Sequence, residues 1–153
     1  PSVTITDRNG KKLSPSSYEI IYKKTGKNVG TYQAQINFRG DYTGSKTISY
    51  QILPKNSSLR SVKAKKKSFT VRWKKLTTKM PAKRISGYQI QYSEKPNFSK
   101  SKTKKISGYK KTNVTIKKLK SKKKYYVRIR TILKSGGKTY YSNWSASKSV
   151  KAK

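Results

Sequence analysis

Along residues 125–129, Tyr125, Val127 and Ile129 place a large apolar side chain at every second position, and this period recurs along the 153-residue chain. Phe69, Val71 and Trp73 keep it, as do Tyr88, Ile90 and Tyr92, and Tyr32, Ala34, Ile36 and Phe38. Period two marks a strand with one buried and one solvated face, whereas no segment holds a helical apolar period beyond two turns. The chain therefore reads as all-β. A hydrophobic share of 31% beside 40 Lys plus Arg would on its own point to disorder, and the alternation overrides it.

The runs fall into two groups. In the first, Ser2 to Thr6 alternates, Asp7-Arg8-Asn9-Gly10 forms a hairpin-type turn, and runs at 18–22, 31–38 and 47–53 follow. Pro54 ends the last of these, and residues 55–58 read as a short polar linker. In the second group, strands are expected at 59–64, 69–73, 88–92, 102–106, 114–116, 125–129 and 145–152, with Val150 inward. Seven strands in about ninety-five residues match the count and spacing of an immunoglobulin-like sandwich.

Composition removes whole classes of chemistry. The chain has no His and no Cys, and its four acids, Asp7, Glu19, Asp41 and Glu94, are scattered. No catalytic residue, metal site or cofactor is expected, because neither a nucleophile–base pair nor a ligand set exists. No apolar run approaches the ~20 residues of a membrane-spanning helix. A start at Pro1, without initiator Met or signal peptide, reads as a mature or excised fragment.

The formal net charge of +36 carries the strongest functional signal. Lys63, Lys65, Lys66 and Lys67 flank the first turn of the second group, Lys100 and Lys102 the third, and Lys118, Lys120, Lys122, Lys123 and Lys124 the fifth. In a sandwich these three turns share one pole, which would make a footprint for a polyanion. An anionic polysaccharide or wall polymer is the expected partner, with non-specific nucleic-acid binding at low salt. The competing reading is a solvated, solubilising surface. A second signal is Arg39-Gly40-Asp41, an integrin-type tripeptide on an expected turn, which its Gly and Asp would also explain as turn formers. The sequence leaves the oligomeric state open.

The second group resembles a fibronectin type III domain. Trp73 sits where that family places its core Trp, Gly87 to Tyr92 matches the third strand, and Leu119 precedes Tyr125 by the spacing of the tyrosine corner. The run 122–130 and Tyr140 to Ser145 resemble the version found in surface proteins of gut Firmicutes. There Arg128 and Arg130 face outward and would stack on Trp144, as a structural contact or as a binding site. The first group, through Asn9-Gly10-Lys11, 18–22, 29–32 and 40–44, is similar to a bacterial immunoglobulin-like repeat of such proteins.

The resemblance implies two tandem β-sandwich modules, 1–54 and 59–153, the first small and lacking its usual first strand, with a sheet edge that is open or is completed by the second module or another molecule. It implies a non-enzymatic, secreted or cell-surface bacterial binding and adhesion module. The alternative it implies is a released, hormone-like ligand of host integrins. The second module is similar to such irisin-type ligands in Trp73, in the Leu119-to-Tyr125 spacing and in length. An inert spacer is the remaining reading.

Overall fold

A computed structural model describes residues 3–23, 26–77 and 83–153. The chain divides into two compact units, Pro1–Gly26 with Thr31–Ile52, and Lys27–Gly30 with Leu53–Lys153.

In the first unit β1 (Tyr18–Tyr22), β2 (Gly30–Phe38) and β3 (Ser45–Ile52) form an antiparallel sheet in the order β1-β2-β3. The register pairs Tyr18 with Phe38, Ile20 with Ile36 and Tyr22 with Ala34, so one face collects the apolar side chains. Ala34 and Ile36 are buried, and the Tyr50 ring meets Tyr22 edge-on at 5.9 Å and stacks on Tyr32 at 5.7 Å. The turn at Asp7 forms because its carboxylate accepts from the Asn9 and Lys11 amides at 2.8 and 2.9 Å while Gly10 takes φ +80°. The strand expected over 2–6 does not develop. Its described part makes one bridge, Thr6 to Lys12, and one further bond, Leu13 N–H to the Ile5 carbonyl. The pairing stops because Pro15 opens a 3₁₀ turn, Pro15–Ser17, capped by the Ser14 hydroxyl. Ser2 lies outside the described residues.

In the second unit one sheet has the order β4 (Leu59–Lys65), β5 (Ser68–Trp73), β8 (Asn113–Ile116). The other has β10 (Lys138–Tyr141), β9 (Lys124–Ser135), β6 (Gly87–Ser93), β7 (Lys102–Ser107), with β11 (Lys148–Lys151) also paired to β9. Phe69, Val71 and Trp73 from the first sheet and Tyr88, Ile90, Val127 and Ile129 from the second are fully buried between the sheets. Each such side chain stabilises the fold by roughly 1.5–3 kcal/mol. Val29, from 27–30, is buried in this same core. The Tyr88 hydroxyl accepts from Leu76 N at 3.0 Å and donates to the Tyr109 carbonyl at 2.9 Å, and burial raises its phenol above the ordinary pKa. Residues 55–58 are held to this unit. The Lys55 carbonyl accepts from Thr131 Oγ1 at 2.8 Å, and Ser57 Oγ donates to the Lys74 carbonyl at 2.6 Å.

The final strand differs from expectation. The strand expected over 145–152 is present but shorter, as β11, and β10 is an additional strand not expected from the sequence; the two are separated by residues 142–147, which gives eight strands among the described residues of this unit rather than seven. The reason is local chemistry. The Ser142 hydroxyl accepts from Thr131 N at 3.0 Å and the Ser145 hydroxyl from Ile129 N at 3.1 Å, so side chains occupy ladder positions that a continuous strand would fill with carbonyls. Val150 is half-buried against the core.

Trp144 lies in this interruption. Arg128 and Arg130 project from the outward positions of β9, with Trp144 at 4.8 and 4.3 Å from their guanidinium carbons. Phe98 lies 4.0 Å from Arg128 and Tyr141 3.9 Å from Arg130, completing a ladder Phe98–Arg128–Trp144–Arg130–Tyr141. The paired strand β6 presents Gln91 and Gln89 opposite, whose side-chain oxygens accept from Arg128 Nε at 2.7 Å and Arg130 Nε at 2.8 Å. Burial lowers both guanidinium pKa values, yet arginine remains a cation throughout the physiological range. With both arginines held between rings and glutamines, the ladder fastens the interrupted edge of the sheet.

Ile129→Ala, at the centre of the core, is expected to destabilise the second unit by about 2–5 kcal/mol, read from denaturant unfolding followed by tryptophan fluorescence. A double-mutant cycle of Arg128→Gln and Trp144→Ala is expected to give a coupling of roughly 0.5–2 kcal/mol, whereas additive losses would remove the ladder from the account of stability.

Candidate functional site

Three turns of the second unit meet at one end of the sandwich. Lys67 N–H donates to the Lys153 carbonyl at 2.7 Å, and the Lys67 carbonyl accepts from Leu119 N at 3.0 Å. Lys122 N–H reaches the Ala152 carbonyl at 2.9 Å and Lys153 N–H the Lys65 carbonyl at 3.2 Å. The β4–β5 turn, the β8–β9 turn and the last residues of the chain are thereby stitched by backbone hydrogen bonds. Leu119, buried, anchors the middle of the β8–β9 turn.

Tyr125 joins the β6–β7 turn to this group. Its hydroxyl accepts from Lys120 N at 3.1 Å and reaches the Glu94 carboxylate at 3.4 Å, while Lys120 Nζ lies 3.9 Å from the same oxygen. Glu94 is the sole acid of residues 53–153. It lies in a cleft of about 240 Å³ lined by Tyr92, Ser99, Lys95, Lys100, Lys102 and Lys120. An exposed pair of this kind contributes little to stability.

The structure places the lysines of the sequence reading as follows. Lys66, Lys67, Lys100, Lys118, Lys120, Lys122 and Lys123 lie in the three turns, all exposed. Lys63 and Lys65 occupy the outward positions of β4, Lys102 opens β7, and Lys124 opens β9 with its ammonium 5.3 Å from the Tyr126 ring. The sequence did not anticipate Glu94 as the acid among them. Its distance in sequence from Lys120 and Tyr125 hides a contact that only the sandwich wiring creates.

Arg39, Gly40 and Asp41 sit in the exposed turn between β2 and β3, with Gly40 at φ +69°. The turn is closed by Tyr42 N–H to the Arg39 carbonyl at 3.4 Å and tied down by Arg39 N–H to the Ser17 carbonyl at 2.8 Å. The Arg39 guanidinium forms an ion pair with the Glu19 carboxylate on β1, so the cation of the tripeptide is engaged within its own unit. Among the described residues no group of three or more metal-ligating side chains occurs, and no helix is long and apolar enough to cross a membrane.

Comparison with known proteins places these features. The fibronectin type III domain family matches residues 54–148. Similar solved structures include the fn3 domain of the human collagen alpha-1(XX) chain, at 19% identity, covering 64% of this chain and 84% of that one with a TM-score of 0.48. Chicken CNTN1 FN1–FN3 domains match at 18% identity over 84% of this chain and 44% of that one, with a TM-score of 0.56. A myokine structure matches at 20% identity over 65% of this chain and 95% of that one, with a TM-score of 0.46. No curated protein sequence matches the chain. At these identities the likeness is one of fold. Domains of this kind are typically extracellular, non-enzymatic binding, adhesion or spacer modules. Through residues 54–148, well over half of its length, the chain belongs to the fibronectin type III domain family.

Proposed function

We propose that the chain is a non-enzymatic binding and adhesion module of a lysine-rich secreted or cell-surface protein of a gut Firmicute. In this reading residues 1–54 form a bacterial immunoglobulin-like repeat and 59–153 a tandem fibronectin type III module. Its ligand is an anionic polysaccharide or wall polymer, held at the pole formed by the β4–β5, β6–β7 and β8–β9 turns. One observation carries the reading: backbone hydrogen bonds hold the β4–β5 and β8–β9 turns together, and the Tyr125 hydroxyl and Lys120 join the β6–β7 turn to them through Glu94, the sole acid of the unit. A merely solubilising surface has no need to concentrate like charges on adjacent turns, where their repulsion opposes folding.

The mechanism is counterion release. Each lysine that neutralises a phosphate or sulfate frees a condensed cation, so affinity falls with salt in proportion to the contacts made. Binding to immobilised heparin or lipid-free teichoic acid through four lysines is expected to weaken roughly 50- to 150-fold between 50 and 200 mM salt. Replacing Lys120, Lys122, Lys123 and Lys124 with Gln is expected to flatten that salt dependence. A variant that binds as the parent does would move the site off the pole. No binding near physiological salt would leave the spacer reading.

The exposed Arg39-Gly40-Asp41 turn supports a second reading, a ligand of host integrins. Such binding requires a divalent metal at the receptor and the Asp41 carboxylate. It is expected to vanish with chelator and in Asp41→Glu, and to strengthen in Glu19→Gln, which frees Arg39. Solid-phase binding to αV integrin in physiological salt checks all three.

A further inference from the structure

The polyanion-binding pole has a backbone peculiarity. In the second unit the described residues with positive φ divide by pole. At the β7–β8 and β9–β10 turns they are glycines, Gly108 (+88°), Gly136 (+55°) and Gly137 (+71°). At the opposite pole they are Lys67 (+46°), Lys100 (+51°), Lys118 (+59°) and Lys122 (+60°), together with Phe98 (+59°). The three turns there contain no glycine.

This distribution runs against backbone preference. In the left-handed region the Cβ of an L-residue crowds the following carbonyl, and glycine, or asparagine with its local hydrogen bonds, takes such positions most readily. Lysine has no compensating feature. Hydrogen bonds hold the strained turns in place: the Lys67 amide and carbonyl are both engaged, and Lys122 N–H is fixed by Ala152. Around Lys100, the Ser93 hydroxyl donates to the Ser99 carbonyl at 2.8 Å and Gln91 Nε2 to the Ser101 hydroxyl at 2.6 Å. Strain that persists because its surroundings over-determine it points to a use for the side chain. Phe98 is the internal precedent. It is strained in the same way, and its ring ends the cation–π ladder against Arg128.

We infer that Lys67, Lys100, Lys118 and Lys122 are the ligand-reading residues of the pole. Together they form a fixed constellation over three turns that contacts successive sulfate or phosphate groups of one polyanionic chain. The inference rests on the polyanion reading above and narrows it. The pole's other lysines supply field, whereas these four supply positions, since each leaves its turn along a direction the backbone cannot relax. A ligand spanning three turns is a polymer rather than a single phosphorylated or sulfated molecule.

The test compares two four-residue sets in the full chain, each removing the same charge. The turn set replaces Lys67, Lys100, Lys118 and Lys122 with Asn. The control set replaces the exposed Lys105, Lys110, Lys134 and Lys138 with Gln. Binding to heparin and to long-chain polyphosphate is measured at 150 mM salt by calorimetry, alongside thermal unfolding. The turn set is expected to lose at least tenfold in affinity, with the control set within about threefold of the parent. The turn set is also expected to melt higher than the control set, because it relieves backbone strain as well as the denser repulsion of the pole. Equal losses of affinity in the two sets, with the parent still binding, would overturn the constellation and leave the polyanion reading standing. A turn set that melts below the control set or fails to fold would overturn the strain premise. A parent that binds neither polymer would overturn both readings.

Discussion

Everything in the second unit depends on the apposition of two sheets across Phe69, Val71 and Trp73 on one side and Tyr88, Ile90, Val127 and Ile129 on the other. The surface they carry is almost uniformly cationic, and its self-repulsion works against compaction at every lysine. Apolar burial must outweigh that repulsion with no disulfide to help, since the chain has no cysteine. The large aromatic share of the core serves this purpose. The Trp73 ring packs on Tyr88 at 5.2 Å, and Phe69 lies 5.9 Å from both Tyr92 and Tyr125. Each ring removes a large apolar area from water for one residue ordered.

Polar interactions position what the core holds up. The Tyr125 hydroxyl ties the β8–β9 turn, through Lys120 N–H, to Glu94 on the neighbouring turn. Gln89 and Gln91 orient Arg130 and Arg128, which in turn hold Trp144 over the interrupted edge. Two serine hydroxyls substitute for strand carbonyls at that edge. None of these groups is strongly stabilising alone, yet together they decide where the charges and rings of the surface stand.

Much of this was legible in the sequence, for identifiable reasons. Period-two alternation reports burial directly, so β5, β6 and β9 could be read from Phe69-to-Trp73, Tyr88-to-Tyr92 and Tyr125-to-Ile129. The Leu119-to-Tyr125 spacing is a local arrangement, and local arrangements survive in sequence. What could not be read arises from contacts between distant segments. Glu19 captures Arg39 across a strand pair, and Phe98 comes from a turn to cap Arg128. The start of β11 at 148 rather than 145 was hidden because serine normally reads as a turn or surface residue, and here the Ser145 hydroxyl accepts a ladder hydrogen bond. The outward glutamines of β6 were the available sign of the ladder, since they alternate with the core residues of the same strand. The left-handed lysines carried no sign at all, because nothing in lysine marks a turn position that glycine would occupy.

The lone carboxylate at the basic pole has a consequence for the conditions under which the surface works. With no histidine and no cysteine in the chain, no side chain of the kind that titrates near neutrality is present to alter the charge around Glu94. Ionic strength, and the presence of other polyanions, are then the variables to which the field of such a surface responds.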